Sequence, residues 1–223
     1  MRDKNDFLER LIKDAGISSG DRVLDVGSGL GEVSLLLSQI VGETGEVIGL
    51  ERNEKALIQA RARVEEANLT NVRFLQVDLS ASLPELPRVD AIVGRRVLMY
   101  LPDPVEALNQ LVCFLRPGGI VLFEETDSTM IPASISSFPV HDKVLRWIWE
   151  TVEKEGGNRH MGFTLPSVFQ KARMDTKHVR AEAMLADSES LTEMLPLMKS
   201  RIIERGVATE AEVDLPSLVQ KLR

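Results

Sequence analysis

Residues 23–34 read VLDVGSGLGEVS, and this stretch decides the fold. It runs from a short apolar segment through Asp25 into the glycines Gly27, Gly29 and Gly31, and then into a segment of helical length. A strand that ends in a glycine-rich turn and continues as a helix is typical of a ligand-binding turn in an open parallel sheet. The stretch therefore predicts a nucleotide-like ligand at the first strand–helix junction.

Short apolar segments alternate with longer helical patterns on both sides of this turn, as far as about residue 126. The apolar segments are predicted as strands at 21–27, 45–51, 72–78, 89–95 and 120–125. Alternating strands and helices favour a parallel sheet with right-handed crossovers. We therefore predict an α/β fold, Rossmann-like and doubly wound, with a mostly parallel sheet and helices on both faces.

The spacing of the glycines limits the kind of ligand. A dinucleotide fingerprint, G-x-G-x-x-G, requires its third glycine at position 32, where this chain has Glu32. An acidic residue there would also lie where a pyrophosphate rests on the helix N-terminus. The G-x-x-x-x-G-K-[ST] loop is absent as well. The turn thus disfavours NAD and FAD and favours a nucleoside without phosphate, such as S-adenosylmethionine with its adenosine, sulfonium and amino-acid tail.

Composition weighs against a nucleic-acid partner and against a membrane span. The net charge is −7 and no dense run of Lys or Arg is present, which weighs against a nucleic-acid partner. The sequence contains no run of 18 apolar residues, so we predict no membrane span. The charged N-terminus lacks the apolar centre of a signal peptide, and we therefore expect a cytoplasmic protein. The single cysteine, Cys113, excludes an internal disulfide, and its helical spacing with apolar neighbours predicts a buried core residue.

The segment VLDVGSGLGEVS resembles the first motif of class I S-adenosylmethionine-dependent methyltransferases. The resemblance implies that the backbone at Gly27 and Gly29, with Ser28 between them, approaches the methionine part and the ribose of the cofactor. It also implies that Asp25 helps to order the ammonium end of the cofactor.

Two further acids resemble the family's second and third motifs. In VIGLERNEKAL, Glu51 occupies the place of the acid that accepts both ribose hydroxyls, and the guanidinium of Arg52 could lie against the adenine ring. In VRFLQVDLS, Asp78 occupies the place of the acid that binds the adenine amino group, with Leu79 beside the ring. The resemblance therefore implies a cofactor held by carboxylates on two neighbouring strand ends.

Residues 89–125, with their LPDP and LRPGG segments, resemble the family's fourth strand, following helix and fifth strand. Arg95 and Arg96 lie just past the fourth strand, where the family lines its cofactor and acceptor pocket. An N-P-P-Y motif is absent there, which disfavours the branches that methylate nucleobases and glutamine. We assign no metal site, because no cluster of oxygen ligands stands out in the sequence.

Methyl transfer from a sulfonium is an in-line displacement, so alignment supplies much of the catalysis. A general base helps when the acceptor is a hydroxyl or a protonated amine. The catalytic candidates are His160 in the polar loop GGNRHMG, His141, and Glu124 at the end of the fifth strand.

We expect a single methyltransferase domain over residues 1–223, made of a cofactor-binding core at 1–126, a lid or substrate segment at 127–170, and a sixth strand with a helical tail at 171–223. The lid is inferred because five of the chain's ten aromatic residues fall between 138 and 169; a helix packed on the sheet edge is the alternative. Trp147 and Trp149 cannot share a helix face, so one is expected to pack inward and the other to face a pocket or a partner.

The C-terminal part departs from the family pattern. The sixth strand is predicted at 178–185, the tail is helical with an interruption near Gly206, and no apolar strand follows it. A sheet without its seventh strand leaves an edge that a second copy could cover, so a homo-oligomer is an expectation.

These features together predict methyl transfer from S-adenosylmethionine to the oxygen, nitrogen or carbon of a small-molecule acceptor, with S-adenosylhomocysteine as the product. The alternatives are a protein or RNA methyltransferase and a non-catalytic cofactor-binding or scaffold module. An oxidoreductase with a nucleotide cofactor is disfavoured by Glu32.

Overall fold

A computed structural model of the chain describes residues 6–129, 137–182 and 188–222. The contacts divide the chain into two compact units. The first unit comprises Met1–Glu125 and Ser167–Asp175, and the second comprises Thr126–Pro166 and Thr176–Arg223. A single methyltransferase domain over the whole chain stays a prediction.

The first unit is built on a sheet of five parallel strands. They are β1 (Arg22–Val26), β2 (Glu46–Glu51), β3 (Val72–Gln76), β4 (Val89–Arg95) and β5 (Leu115–Glu124). Their spatial order is β3-β2-β1-β4-β5, so the direction of winding reverses between β1 and β4. Ligands of open α/β sheets bind at such a reversal, outside the carboxyl ends of the strands. The predicted Rossmann-like fold is confirmed.

Helices flank this sheet and supply its core. They are α1 (Asp6–Ala15), α2 (Glu32–Val41), α3 (Glu54–Glu66) and α4 (Pro104–Val112), with a short 3₁₀ turn at Leu98–Tyr100. Buried side chains of α1 and α2 pack with those of the strands in one cluster, and α3 packs with β3 in another. Asn53 begins α3 by accepting the N–H groups of Lys55 and Ala56, and Asp103 caps α4 in the same way.

The second unit is helical. Its helices are α5 (Pro139–Lys154), the first part of α6 (Met161–Lys171), α7 (Ser188–Glu204) and α8 (Leu215–Leu222). Apolar residues of α5, α7 and α8 form one buried cluster that includes Trp147 and Leu195. The α7 helix ends in a Schellman motif: Gly206 N–H donates to the carbonyl of Ile203 and Val207 N–H to that of Ile202. The predicted interruption near Gly206 is confirmed.

The predicted sixth strand at 178–185 is wrong in its described part. Residues 176–182 have no regular secondary structure, and residues 183–185 lie outside the described residues. Val179 is 65% exposed and is the one large apolar side chain between 178 and 182. A strand with so little apolar surface gains little by joining a sheet.

Two local predictions also differ from the structure. Cys113 is exposed rather than buried, because α4 ends at Val112 and Cys113 is its C-cap. The strand β5 begins at Leu115 instead of residue 120, since Leu115 pairs with Val89 before an irregularity shifts the register to Ile120.

Within the residues described, no helix combines the length and the apolar character that crossing a membrane requires. The cytoplasmic location stays a prediction.

Candidate functional site

A cavity of about 230 Å³ lies in the first unit at the carboxyl ends of the strands. Five of the predicted cofactor residues line it: Gly27, Glu51, Arg52, Asp78 and Leu79. Its other lining residues are Leu50, Val77, Arg96, Val97, Tyr100 and Leu101. The structure thus brings the glycine turn and both strand-end acids to one cavity.

The glycine turn is held against the end of β2. The N–H groups of Gly27 and Ser28 both donate to the carbonyl of Leu50, at 2.8 and 2.9 Å. Gly27 has φ +70°, and a Cβ built on it would lie 2.5 Å from Cγ2 of Val97. Because that distance is far below a van der Waals contact, only glycine fits here, and the backbone itself forms the cavity wall.

Glu51 ends β2 and is half-buried at the cavity wall. Its Oε2 accepts the N–H of Gly29 at 3.0 Å and its Oε1 accepts the N–H of Asn53 at 2.8 Å. An ionised carboxylate has about four acceptor positions. Each oxygen of Glu51 therefore keeps acceptor capacity for a ligand hydroxyl, while the backbone bonds fix its orientation.

Asp78 follows β3 on an exposed part of the cavity rim. Its Oδ1 accepts the N–H of Ser80 at 2.9 Å and the hydroxyl of Ser80 at 2.5 Å. These bonds, together with the nearby Arg52 cation, lower the pKa of Asp78 below its ordinary value. Leu79 is buried beside it and supplies an apolar wall.

Asp25, Ser28 and Gly29, predicted as cofactor contacts, are not among the residues that line the cavity. Asp25 is 1% exposed and accepts a hydrogen bond from the hydroxyl of Ser34. Burial raises the pKa of Asp25 to about 6, although the bond to Ser34 and the nearby Arg95 oppose the rise. Among the described residues, Oδ1 of Asp25 and Oγ of Ser28 have no hydrogen-bond partner, so both are polar atoms buried under the turn.

Arg95 ends β4 and is also outside the cavity lining. Its guanidinium forms an ion pair with Glu32 at 2.7 Å, and its side chain is 13% exposed. It also acts electrostatically on Asp25 and Glu124. Arg95 therefore offsets the negative charge gathered around the ends of β1, β4 and β5.

Glu124 and Glu125 lie at the end of β5. The carbonyl of Glu124 accepts the N–H of Arg96 at 2.8 Å, and burial raises the pKa of the Glu124 carboxyl. Oε1 of Glu125 accepts the N–H groups of Val97 and Leu98, at 3.0 and 2.8 Å. Arg96 and Val97 line the cavity. The hydrogen bonds from Glu124 and Glu125 therefore fix the backbone of this part of the cavity wall.

Glu125 belongs to the run of acids EETD at the end of the fifth strand, from which the sequence analysis selected only Glu124 as a candidate. Burial raises the pKa of Glu125 to about 7, although the backbone N–H groups and Arg96 oppose the rise. The signal available was the run of acids in EETD at the end of an apolar strand, but the sequence does not say which of them turns inward. No group of three His, Cys, Asp or Glu in the described part of the chain is arranged to hold a metal ion.

Replacing Glu125 with glutamine is expected to change how stability depends on pH. The pKa of Glu125 is raised in the folded state from an ordinary 4.5 to about 7, so the folded state binds its proton more tightly than the unfolded state does. The free energy of unfolding therefore falls as the pH rises from about 4.5 to 7, by about 3 kcal/mol for this group. Glutamine keeps the acceptor oxygen and removes the titration.

Urea unfolding of both proteins across this pH range measures the effect. The difference between Glu125→Gln and wild type should grow in favour of the variant as the pH rises. Asp25, whose pKa is also raised by burial, adds its own pH dependence to the free energy of unfolding. This contribution is the same in both proteins and cancels in their difference. Parallel pH profiles would contradict the assignment.

The two histidine candidates lie in the second unit and have different neighbours. His141 is at the start of α5 and meets the ring of Phe138 edge-on, with the ring centroids 5.9 Å apart. His160 directly precedes α6 and bonds to Thr129. Trp147 packs inward, as predicted for one of the two tryptophans. The guanidinium of Arg159 lies over the ring of Trp149, 5.9 Å from the ring centroid.

Comparison with known proteins places the chain in a family. Residues 17–194 match the methyltransferase domain family. The chain is similar to demethylmenaquinone methyltransferase of Staphylococcus aureus, with 30% identity over 135 residues that cover 60% of this chain and 55% of that protein. It thus spans about half the length of the curated relatives it matches.

Solved structures share the fold. A SAM dependent methyltransferase from Aquifex aeolicus aligns with a TM-score of 0.57 and 23% identity over 76% of this chain and 82% of that one. The YcgJ protein from Bacillus subtilis aligns with a TM-score of 0.63 and 19% identity over 95% of this chain and 82% of that one. With the family match covering most of the chain, this protein belongs to the methyltransferase domain family, of the S-adenosylmethionine-dependent class I type that its glycine turn and strand-end acids resemble.

Proposed function

We propose that the chain transfers a methyl group from S-adenosylmethionine to a small-molecule acceptor. The observation that carries the proposal is the cavity beside Gly27, which has the carboxylates of Glu51 and Asp78 on its wall. It lies where the winding of the sheet reverses, the place where α/β sheets bind nucleotide-like ligands.

The cavity residues fit the nucleoside part of this cofactor. Glu51 would accept the ribose hydroxyls, Asp78 the adenine amino group, and Arg52 and Leu79 would flank the ring. A volume of about 230 Å³ suits a nucleoside better than a whole cofactor, since sites for drug-sized ligands span about 300–1,000 Å³. The amino-acid tail would extend over the glycine turn, above the buried Asp25.

The positions of the acids disfavour a diphosphate, although Arg52 and Arg96 also line the cavity. Glu51 and Asp78 line it, and Glu32 occupies the first turn of α2, where a phosphate would need the helix N-terminus. The carboxylates of Glu51 and Asp78 favour a ligand whose hydroxyl and amino groups can donate hydrogen bonds to them. That preference supports S-adenosylmethionine over NAD.

When bound, the sulfonium supplies a methyl group that is already activated. The chain's own contribution is then to hold the reacting groups in line, an effect worth on the order of 7–11 kcal/mol in well-oriented systems. Gly27 and Glu51 fix one part of the cavity wall, and the Glu124–Glu125 pair fixes the part formed by Arg96 and Val97. A side chain that takes up a proton is needed only when the methyl acceptor must lose a proton to react.

The small-molecule acceptor is supported by a relative and by charge. The relative with 30% identity is named for a small quinone-type substrate, demethylmenaquinone. The net charge of −7 gives a nucleic-acid acceptor little electrostatic attraction. The acceptor that we test first is therefore a small hydroxylated ring compound.

Turnover with tritium-labelled S-adenosylmethionine tests the proposal. The protein is incubated separately with demethylmenaquinol, a set of small phenols and amines, unrelated proteins, and RNA. We expect label in a small molecule and none in the macromolecules. Label in protein or RNA would contradict the small-molecule acceptor, and cofactor binding without any label in any arm would favour the scaffold alternative.

Thermal melts test the choice of cofactor without an acceptor. S-Adenosylmethionine or S-adenosylhomocysteine at 100 times its dissociation constant should stabilise the protein by about 2.7 kcal/mol, seen as a rise in Tm. NAD at the same concentration should leave Tm unchanged. A rise with NAD alone would contradict the assignment of the cavity.

A further inference from the structure

The residue that follows β4 has an unusual backbone conformation. In the described part of the chain, the non-glycine residues with a positive φ are Asn68, Arg96 and Arg173. Asn68 and Arg173 follow α3 and α6 and close Schellman motifs like the one at Gly206, so the helix ends explain them. Arg96, at φ +53°, instead follows a strand and lines the cavity. Strained backbone of this kind is concentrated at ligand-binding sites.

The end of β5 holds Arg96 in this conformation. The N–H of Arg96 donates to the carbonyl of Glu124 at 2.8 Å. The N–H groups of the next two residues, Val97 and Leu98, donate to Oε1 of Glu125 at 3.0 and 2.8 Å. Glycine is the usual residue at a positive φ, because it has no Cβ to clash. An arginine at this point therefore supplies a side chain to the cavity wall at a cost in backbone strain.

The charge of Arg96 is not matched by a close carboxylate. The preceding arginine, Arg95, forms an ion pair with Glu32 at 2.7 Å. Arg96 is exposed, and its guanidinium has neither an ion pair nor a hydrogen bond within the described residues. It acts at longer range on Glu124 and Glu125, where it opposes the rise in their pKa that burial causes. The cavity wall thus carries a guanidinium whose donors are available to a ligand.

Four strand ends lie in the same order as the parts of the proposed cofactor. Asp78 follows β3, Glu51 ends β2, Gly27 follows β1 and Arg96 follows β4, and these strands are neighbours in that order. Neighbouring strands are about 4.8 Å apart. With adenine at Asp78 and the ribose at Glu51, the sulfonium lies toward Gly27. Arg96 is one strand further on, at the end of the cavity where the methyl group is presented.

A guanidinium near a sulfonium favours one kind of methyl acceptor. The two cations repel each other, and an anion bound between them is attracted by both. The planar fork of an arginine donates charge-assisted hydrogen bonds to carboxylates and to other anionic oxygens. An acceptor that arrives ionised needs no side chain to take up its proton.

We propose that Arg96 determines acceptor specificity by binding the anionic oxygen of a small methyl acceptor, an ionised ring hydroxyl or a carboxylate. The inference rests on the proposed function and deepens it, because it assigns the chemical class of the acceptor. An electron pair of that oxygen forms the bond to the methyl carbon, and the pair of the broken C–S bond stays on sulfur. The negative charge on oxygen and the positive charge on sulfur both disappear, and no proton moves in this step.

Calorimetry of the full chain with S-adenosylhomocysteine bound tests the contact without turnover. The probes are 2-naphthoate, which is anionic, and 2-naphthamide, which has nearly the same shape and no charge. A hydrogen bond to a charged group corresponds to about 10- to 150-fold in affinity, so wild type should prefer the naphthoate by that factor. Arg96→Met should bind both probes equally, and Arg96→Lys, which keeps the charge without the fork, should keep part of the preference.

Arg173→Met is the matched control. Arg173 is also an exposed arginine in the left-handed region, at φ +58°, and it lies outside the cavity lining. The substitution removes the same charge from the same kind of backbone conformation, and it should leave the preference for naphthoate as in wild type. Methionine keeps a Cβ, so neither Arg96→Met nor the control relieves backbone strain.

Kinetics separates this contact from a structural role. The negative charge that Arg96 binds is lost as the bond to the methyl carbon forms, so Arg96 holds the bound acceptor more strongly than the transition state. Arg96→Met should therefore raise KM for the acceptor by about 10- to 150-fold without lowering kcat. The affinities for S-adenosylmethionine and S-adenosylhomocysteine should stay as in wild type.

Equal binding of the two probes by wild type, or binding of neither, would overturn the assignment. So would an Arg96→Met variant that loses cofactor affinity, since Arg96 would then bind the cofactor, or one that loses only stability, since Arg96 would then be a counter-ion of Glu124 and Glu125. A wild-type protein that prefers naphthoate but methylates nothing would count against the proposed function alone. Methylation of amines only would overturn the role of Arg96 and leave the proposed function standing.

Discussion

Replacing Glu51 with alanine is expected to weaken S-adenosylmethionine binding by about 10²- to 10⁴-fold. Hydrogen bonds to a charged group are worth about 1.5–3 kcal/mol each, and we assign two ribose hydroxyls to this carboxylate. The substitution also leaves the N–H groups of Gly29 and Asn53 without their acceptor, which loosens the glycine turn. Isothermal titration calorimetry with the cofactor and with S-adenosylhomocysteine measures the loss.

Two further variants separate a specific contact from a loss of charge. Glu54→Ala removes an exposed carboxylate in the first turn of α3 that lies outside the cavity lining, and it should bind the cofactor as wild type does. Glu51→Gln keeps the shape and an acceptor oxygen, and it should lose roughly tenfold. If Glu51→Ala, folded by circular dichroism, binds as tightly as wild type, Glu51 does not hold the ribose.

Replacing Gly27 with alanine is expected to abolish cofactor binding and to lower the free energy of unfolding by about 3 kcal/mol. The backbone is at φ +70°, where an L side chain costs about 1–2 kcal/mol. The added Cβ would also lie 2.5 Å from Cγ2 and 2.8 Å from Cβ of Val97, and such overpacking costs about 1–3 kcal/mol. Urea unfolding measures the loss of stability, and isothermal titration calorimetry measures the loss of cofactor binding.

Gly29→Ala is the matched control. Gly29 is also in the left-handed region, at φ +52°, but the closest atom to its Cβ would be 4.0 Å away. This variant carries the backbone cost without the clash and should be destabilised by about 1 kcal/mol. If the two variants lose the same stability, the close approach of Gly27 to Val97 does not exist in solution.

The sequence predicted the sheet well because its signals were local. The strand assigned at 89–95 matches β4 residue for residue, and Glu51 and Asp78 fall on neighbouring strand ends of the observed sheet. Apolar runs bounded by glycine and polar turns specify such strands without tertiary information. The cavity lining could therefore be anticipated at Gly27, Glu51 and Asp78.

The features that the sequence did not predict depend on contacts between residues that are distant in the chain or on exact helix ends. The role of Asp25 in ordering the ammonium end of the cofactor stays a prediction, and the sequence does not show that its side chain is buried and bonded to Ser34. Glu125 acts through the backbone N–H groups of Val97 and Leu98, which are 28 and 27 residues away in the chain. Cys113 follows the helical spacing of its neighbours but lies one residue beyond the helix end, a boundary that periodicity does not locate.

A crystal structure of the protein with S-adenosylhomocysteine tests the central claim most directly. We predict the adenosine in the cavity beside Gly27, with both ribose hydroxyls within hydrogen-bond distance of Glu51 and the adenine amino group at Asp78. Adenosine bound elsewhere, or a ribose that does not contact Glu51, would contradict the account.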